Sequence, residues 1–134
     1  MGKIGILLLT TLVSSLTWAA ESAFDIKLEL SIGGQKISSP RIITKDGETA
    51  TVVQENIKQK HFIELVATEQ TTSKGQPAVL MNFIIGKELV DGSRTVIASP
   101  RILTKLNETA QVTVGESNDS ESVSISVVAA RTNL

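Results

Sequence analysis

The chain has 134 residues, no cysteine and a formal net charge of −1. Its length allows one compact domain or two very small ones. The missing cysteines exclude disulfide stapling, redox pairs and a lipid-modified N-terminal cysteine, and the near-neutral charge without a basic stripe excludes the usual nucleic-acid footprint.

The first residues have the layout of a secretory signal: Lys3, then an apolar run from Ile4 to Val13, then Trp18-Ala19-Ala20 before the polar Glu21-Ser22. We expect a signal peptide over residues 1–20, cleaved after Ala19 or Ala20, and a periplasmic protein. The apolar run is short for a span of roughly 20 residues, so no stable membrane span is expected after cleavage. Without Lys3 the remaining chain carries 12 basic and 14 acidic residues, a net charge of −2.

From Phe24 onward the pattern is that of β-strands, because apolar side chains recur every second residue. Phe24, Ile26, Leu28, Leu30 and Ile32 alternate with Asp25, Lys27, Glu29 and Ser31. Gly33-Gly34 supplies a turn, and a second strand is expected over 37–44. Asp46-Gly47 is a hairpin signal, since its glycine can take positive φ. Thr49 to Gln54 is read as the return strand and Phe62 to Thr68 as the fourth. After a polar joint over 69–76, Val79, Met81, Phe83 and Ile85 open a second series, in a strand apolar on both faces. Gly86 is matched to Gly33, and Lys87 to Arg94 forms a longer connection with an Asp91-Gly92 turn. Strands follow over 95–104, at Ala110, Val112 and Val114, and at Val123, Ile125 and Val127. No segment has a helical period. Ser122 to Val128, lightly charged and alternating, is expected to be an exposed edge.

The two series are copies. Ser39-Pro40-Arg41-Ile42-Ile43-Thr44-Lys45-Asp46-Gly47-Glu48-Thr49-Ala50 returns as Ser99-Pro100-Arg101-Ile102-Leu103-Thr104-Lys105-Leu106-Asn107-Glu108-Thr109-Ala110. Asn107 replaces the glycine with a residue that tolerates left-handed geometry. The chain therefore divides into the signal at 1–20, a first β unit at 21–70 and a second at 71–134. A four-stranded sheet with one apolar face cannot bury that face alone, whereas two stacked sheets can. The expected fold is all-β, two four-stranded units packed as one pseudo-symmetric β-sandwich.

Catalytic chemistry has little to work with. Ser39, Arg41 and Glu48 recur as Ser99, Arg101 and Glu108, but neither serine has a histidine or a strained nucleophile turn nearby. Pro40 and Pro100 fit the start or edge of a strand, and each arginine is expected to pair with the glutamate across its hairpin. These eight residues are read as structural. His61 lacks further ligands of a zinc site and is expected to be an exposed strand-end residue. Glu116, Asp119 and Glu121 are read as a solvated loop. No metal, cofactor or catalytic residue is assigned.

The repeated phrase resembles a piece of the secretin family, the outer-membrane channels of type II secretion and type IV pilus systems. Ser99-Pro100-Arg101-Ile102-Leu103-Thr104, Asn107-Glu108, Ala110, Val112 and Val114-Gly115-Glu116 carry the likeness, and residues 39–52 carry it less fully. The resemblance implies a shared strand-pairing mode and not a conduit. It adds secretion or envelope assembly as the setting. The expected function is a non-enzymatic periplasmic binding or accessory protein acting through β-edge contacts with a protein partner or another copy of itself. The alternatives are a self-assembling envelope structural protein and a small periplasmic enzyme or enzyme inhibitor. If a specific binding face exists, the differences between the copies are the first place to look: 87–94, Asp46-Gly47 against Leu106-Asn107, and Gln54-Glu55 against Val114-Gly115.

Overall fold

A computed structural model of the protein describes residues 22–55, 59–115 and 122–133. The expected signal peptide and the loop bearing Glu116, Asp119 and Glu121 lie outside them. Ten strands are found among the described residues: β1 (Ser22–Ile32), β2 (Gln35–Ser38), β3 (Arg41–Lys45), β4 (Thr49–Glu55), β5 (Lys60–Thr71), β6 (Pro77–Glu88), β7 (Arg94–Ala98), β8 (Arg101–Lys105), β9 (Ala110–Val114) and β10 (Val123–Asn133). They form two antiparallel sheets, a β-sandwich as the alternation predicts. Each copy has five strands rather than four, because the strands expected at 37–44 and 95–104 break at Ser39-Pro40 and Ser99-Pro100. Proline cannot donate to a ladder and restricts the residue before it.

The first sheet runs β2-β1-β10-β9, with β3 following β2 along the same side of β1; the second runs β4-β5-β6-β7, with β8 following β7 along β6. The topology therefore differs from two sheets built one per repeat. β1, β2 and β3 share a sheet with β9 and β10 of the second repeat, and β6, β7 and β8 share one with β4 and β5 of the first. Matching registers define the pseudo-two-fold: Ala23 lies opposite Lys45 as Ala78 lies opposite Lys105, and Ala50 opposite Leu65 as Ala110 opposite Val127.

Two local expectations change with this topology. The Asp46-Gly47 and Leu106-Asn107 turns close no hairpin; they carry the chain around a corner from one sheet to the other. Gly47 (φ 80°) and Asn107 (φ 66°) do adopt the left-handed geometry read from the sequence. Each is pinned across the corner, Gly47 N–H donating to Ala67 O and Asn107 N–H to Ala129 O, both at 2.8 Å. A tight turn fixes chain direction over four residues and says nothing about which strand the departing segment will pair with. Conversely, the joint at 69–76 does not cross between sheets. It is the tip of a long hairpin in which β5 and β6 pair from Lys60–Glu88 to Thr71–Pro77.

The core lies between the sheets. Phe24, Ile26, Leu28 and Leu30 of β1, Ile63 and Leu65 of β5, Met81, Phe83 and Ile85 of β6 and Ile125 and Val127 of β10 are all at most 2 % exposed. Burying each such side chain stabilises the fold by about 1.5–3 kcal/mol before entropy is counted, which replaces the stapling the cysteine-free chain lacks. Of the segment Ser122 to Val128, all but Ser122 belongs to β10, which lies between β1 and β9 and is not an edge. Gly86 also moves from its expected role. Its register counterpart is Ser31 rather than Gly33, and it sits inside β6 beside a bulge.

Candidate functional site

The repeated residues gather along one border of each sheet. At the break between β2 and β3 the Pro40 carbonyl accepts from Leu28 N–H, and at the break between β7 and β8 the Pro100 carbonyl accepts from Phe83 N–H, each at 3.0 Å. These bonds hold two short strands on one long neighbour. Register shifts at Leu30/Ser31 and Ile85/Gly86 mark a bulge at the same place in each sheet.

The arginines do not pair with the glutamates. Arg41 grips Asp25 on β1 with two bonds, Nε to Oδ1 at 2.9 Å and Nη2 to Oδ2 at 2.6 Å. The hydrogen bond from Arg41 holds the Asp25 carboxyl below its usual range. At the matched position in the second sheet Leu80 replaces Asp25, and Arg101 has no ion-pair partner among the described residues. The expected cross-hairpin pair is precluded by topology, since β3 and β4 lie in different sheets. Glu48 and Glu108 stand exposed at the corners, Glu48 N–H closing the turn onto Lys45 O at 3.1 Å. Ser39 and Ser99 are exposed, and their hydroxyls meet no base among the described residues.

An open cleft of about 420 Å³ lies beside the first motif, lined by Lys27, Glu29, Ser39, Arg41, Thr109 and Ser126 among others. Arg41 is neutralised by Asp25 and Glu29 by Lys36 at 3.0 Å, so the cleft presents no concentrated charge. Among the described residues no group of three or more His, Asp or Glu side chains is placed to hold a metal.

His61 is a correction. It is 2 % exposed rather than solvent-facing, because it falls on the inward register of β5 with Ile63 and Leu65. Neither ring nitrogen has a hydrogen-bond partner. Burial first, and the Lys87 charge second, lower its pKa from the ordinary histidine value. The single-copy reading could not see this; the register match to Val123 shows that the position belongs to the core.

The other border of each sheet is different in kind, and no motif pointed to it. β4 closes the second sheet and β9 the first, and neither has a second strand neighbour among the described residues. From Thr49 to Gln54 and from Ala110 to Val114 there is no charged residue and no proline. Ser38 Oγ donates to Gln54 Oε1 at 3.3 Å, which sets β2 over β4. By the same symmetry β7 stands over β9, so the two uncharged borders lie on opposite sides of the sandwich.

No family model matches the chain, and no curated protein or solved structure matches it.

Proposed function

We propose that the protein is a non-enzymatic periplasmic accessory protein that binds another β protein by strand addition at β4 or β9, in the setting of secretion or envelope assembly. One contrast supports this reading. The motif border of each sheet carries the devices that block edge pairing: a proline, a bulge, and Lys36, Arg41 and Lys45 in one sheet or Arg94, Arg101 and Lys105 in the other. Apart from Glu55 at the end of β4, the described residues of the β4 and β9 borders carry none of them. A sandwich that guards one border of each sheet and leaves the other open has strand addition as its plainest use, with main-chain hydrogen bonds supplying affinity. The secretin-like phrase supplies the choice of setting.

The reading is tested by crosslinked capture from periplasm combined with amide exchange. Binding should slow exchange at β4 or β9, and Thr51→Lys with Gln111→Lys should weaken capture by about tenfold or more, which is ~1.4 kcal/mol. Recovery of only the free protein under several crosslinkers, or protection confined to other strands, counts decisively against it.

A further inference from the structure

The duplication supplies an internal control, because each outer-face position of one sheet has a counterpart in the other. The first sheet shows what a solvated face looks like in this fold: Asp25, Glu29, Lys36, Thr113 and Ser124. Their counterparts in the second sheet are Leu80, Ile84, Val96, Val53 and Phe62. Five polar positions become apolar. Ile43 is matched by Leu103 and Val66 by Val128, so those positions are apolar in both sheets. Only Ser126 against Glu64 and Ala130 against Thr68 run the other way, and Arg94 reaches Glu64 at 3.5 Å. Of the eight large hydrophobic residues left exposed among the described residues, six belong to the second sheet or its β6–β7 turn, including Val96 at 55 % and Leu103 at 60 %.

The outer face is thus built like a core. Phe62 is already sealed, packed against Gly86 with the Arg94 guanidinium 4.5 Å from its ring centre. Around Arg94, Glu88 and Lys60 form a charged rim at one end, Lys60 meeting Glu88 at 3.0 Å. Arg101 stands exposed on the edge strand β8, at the side. Between these lie Leu80, Ile84, Leu103 and Val66, with the polar Asn82 in register beside Val66.

We propose that this face of the second sheet is a homodimer interface, across which two copies stack sheet on sheet. Three observations select a second copy. First, its size: four strands at ~4.8 Å spacing and twelve residues of β6 at ~3.3 Å each give a footprint on the order of 700 Å², close to the ~800 Å² per partner of a standard stable interface. Second, its chemistry: its large exposed side chains, Val53, Ile84, Val96 and Leu103, are aliphatic and surround the small polar Asn82 and Thr51, the mostly apolar make-up of homodimer interfaces. A membrane-interface surface would carry tryptophan or tyrosine, and the described residues hold neither. Third, β6 is apolar on both sides, the pattern of a strand buried on both faces. The stack would give β6 a sheet on each side at ordinary sheet-packing distance. This interface is independent of strand addition at β4 and β9.

Light scattering on the purified protein, over a concentration series, tests it. The expected mass is that of two chains above ~10 µM. Leu80→Asp with Ile84→Glu should halve it with the β-sheet circular dichroism retained, since close equivalents of those residues stand at the matched sites Asp25 and Glu29. Ile43→Glu and Gln111→Lys, both on the first sheet, should leave the mass at two chains. If the Leu80 and Ile84 variant does not fold, Val96→Lys, matched to Lys36, replaces it and should raise the dimer Kd by about tenfold or more. A mass of one chain at every concentration overturns the proposal, including a monomer that binds lipid vesicles instead. So does a dimer that survives the face variants, or one that only the first-sheet variants dissociate.

Discussion

Glu69 and Arg131 occupy the same position in the two repeats, and they are paired with each other. Glu69 lies opposite Val79 on β6 as Arg131 lies opposite Phe24 on β1, and the Arg131 guanidinium meets the Glu69 carboxylate between the sheets. A residue and its symmetry mate can touch only beside the axis that relates them. The pair therefore marks the pseudo-two-fold axis, at the end of the sandwich where β5 and β10 finish.

Two identical copies would place like charges there, so this is a position where the repeats had to diverge. Glu69→Arg alone should bring two guanidinium groups together and lower stability by a few tenths to about 1 kcal/mol, the range of exposed pairs. Arg131→Glu alone should do the same with two carboxylates. Exchanging both residues should restore the wild-type midpoint in urea, because the axis makes the two positions interchangeable. A double variant no better than either single one would show that the two sites are not equivalent.

His61 predicts a pH dependence with a definite sign. Burial holds the folded ring neutral and lowers its pKa, while the unfolded chain takes up a proton near pH ~6.5. The unfolded state therefore binds more protons over that interval, and stability falls as pH falls. The contribution is complete above about pH 6.5 and is lost as pH drops through the lower folded-state pKa. The groups in register beside the ring are Gln54 on β4 and Lys87 on β6; neither is a carboxylate that would reverse the sign. His61→Val, which copies Val123, should raise stability by about 1 kcal/mol at neutral pH by removing two unpartnered buried nitrogens. It should also flatten the midpoint between about pH 7 and pH 5. A wild-type midpoint that rises on acidification would contradict this account.

The alternation of Phe24 to Ile32 and of Val79 to Ile85 made the strands, the core and the sandwich legible, because one dry face per strand is a local property. The positive φ at Gly47 and Asn107 was legible for the same reason. The exchange of strands between repeats was not. Ile42 and Val52 each face the core whether β3 and β4 share a sheet or face each other from two, so periodicity cannot choose between them. The repeat also drew attention to what is shared, Ser-Pro-Arg and glutamate, which lie at strand breaks and corner turns. The features that separate the copies chemically, Asp25 against Leu80 and His61 against Val123, become visible only once the register aligns them.

Gly86 tests how tightly the second sheet's outer face is built. A Cβ there would collide with the Thr95 carbonyl oxygen and lie 2.7 Å from Phe62 Cε1. The first is backbone and the second belongs to a side chain that is 2 % exposed, so neither can yield cheaply. Gly86→Ala should cost about 1–3 kcal/mol, in the range of overpacked sites. Combining it with Phe62→Ser, the residue found at the matched Ser124, should recover the ring's share of that cost. Equal losses with and without Phe62 would place the whole effect on the Thr95 backbone.

The guarded borders make the last prediction. Pro40, Arg41 and Lys36 in one sheet, and Pro100, Arg101 and Lys105 in the other, stand where an open strand would otherwise recruit another chain. Replacing Pro100 and Arg101 with valine should convert β7 and β8 toward one long edge charged only at its two ends, Arg94 and Lys105. The break in pairing at Pro100 would close, and the edge would offer a continuous row of donors and acceptors. Time-dependent light scattering at a fixed concentration should then rise well above wild type, while Glu108→Ala at the nearby corner should leave it unchanged. The same double replacement at Pro40 and Arg41 should have a smaller effect, because it leaves Lys36 on β2 and frees Asp25 to keep a charge beside that border. Equal behaviour of wild type and both double variants would mean that the Ser-Pro-Arg phrase serves only to break the strand.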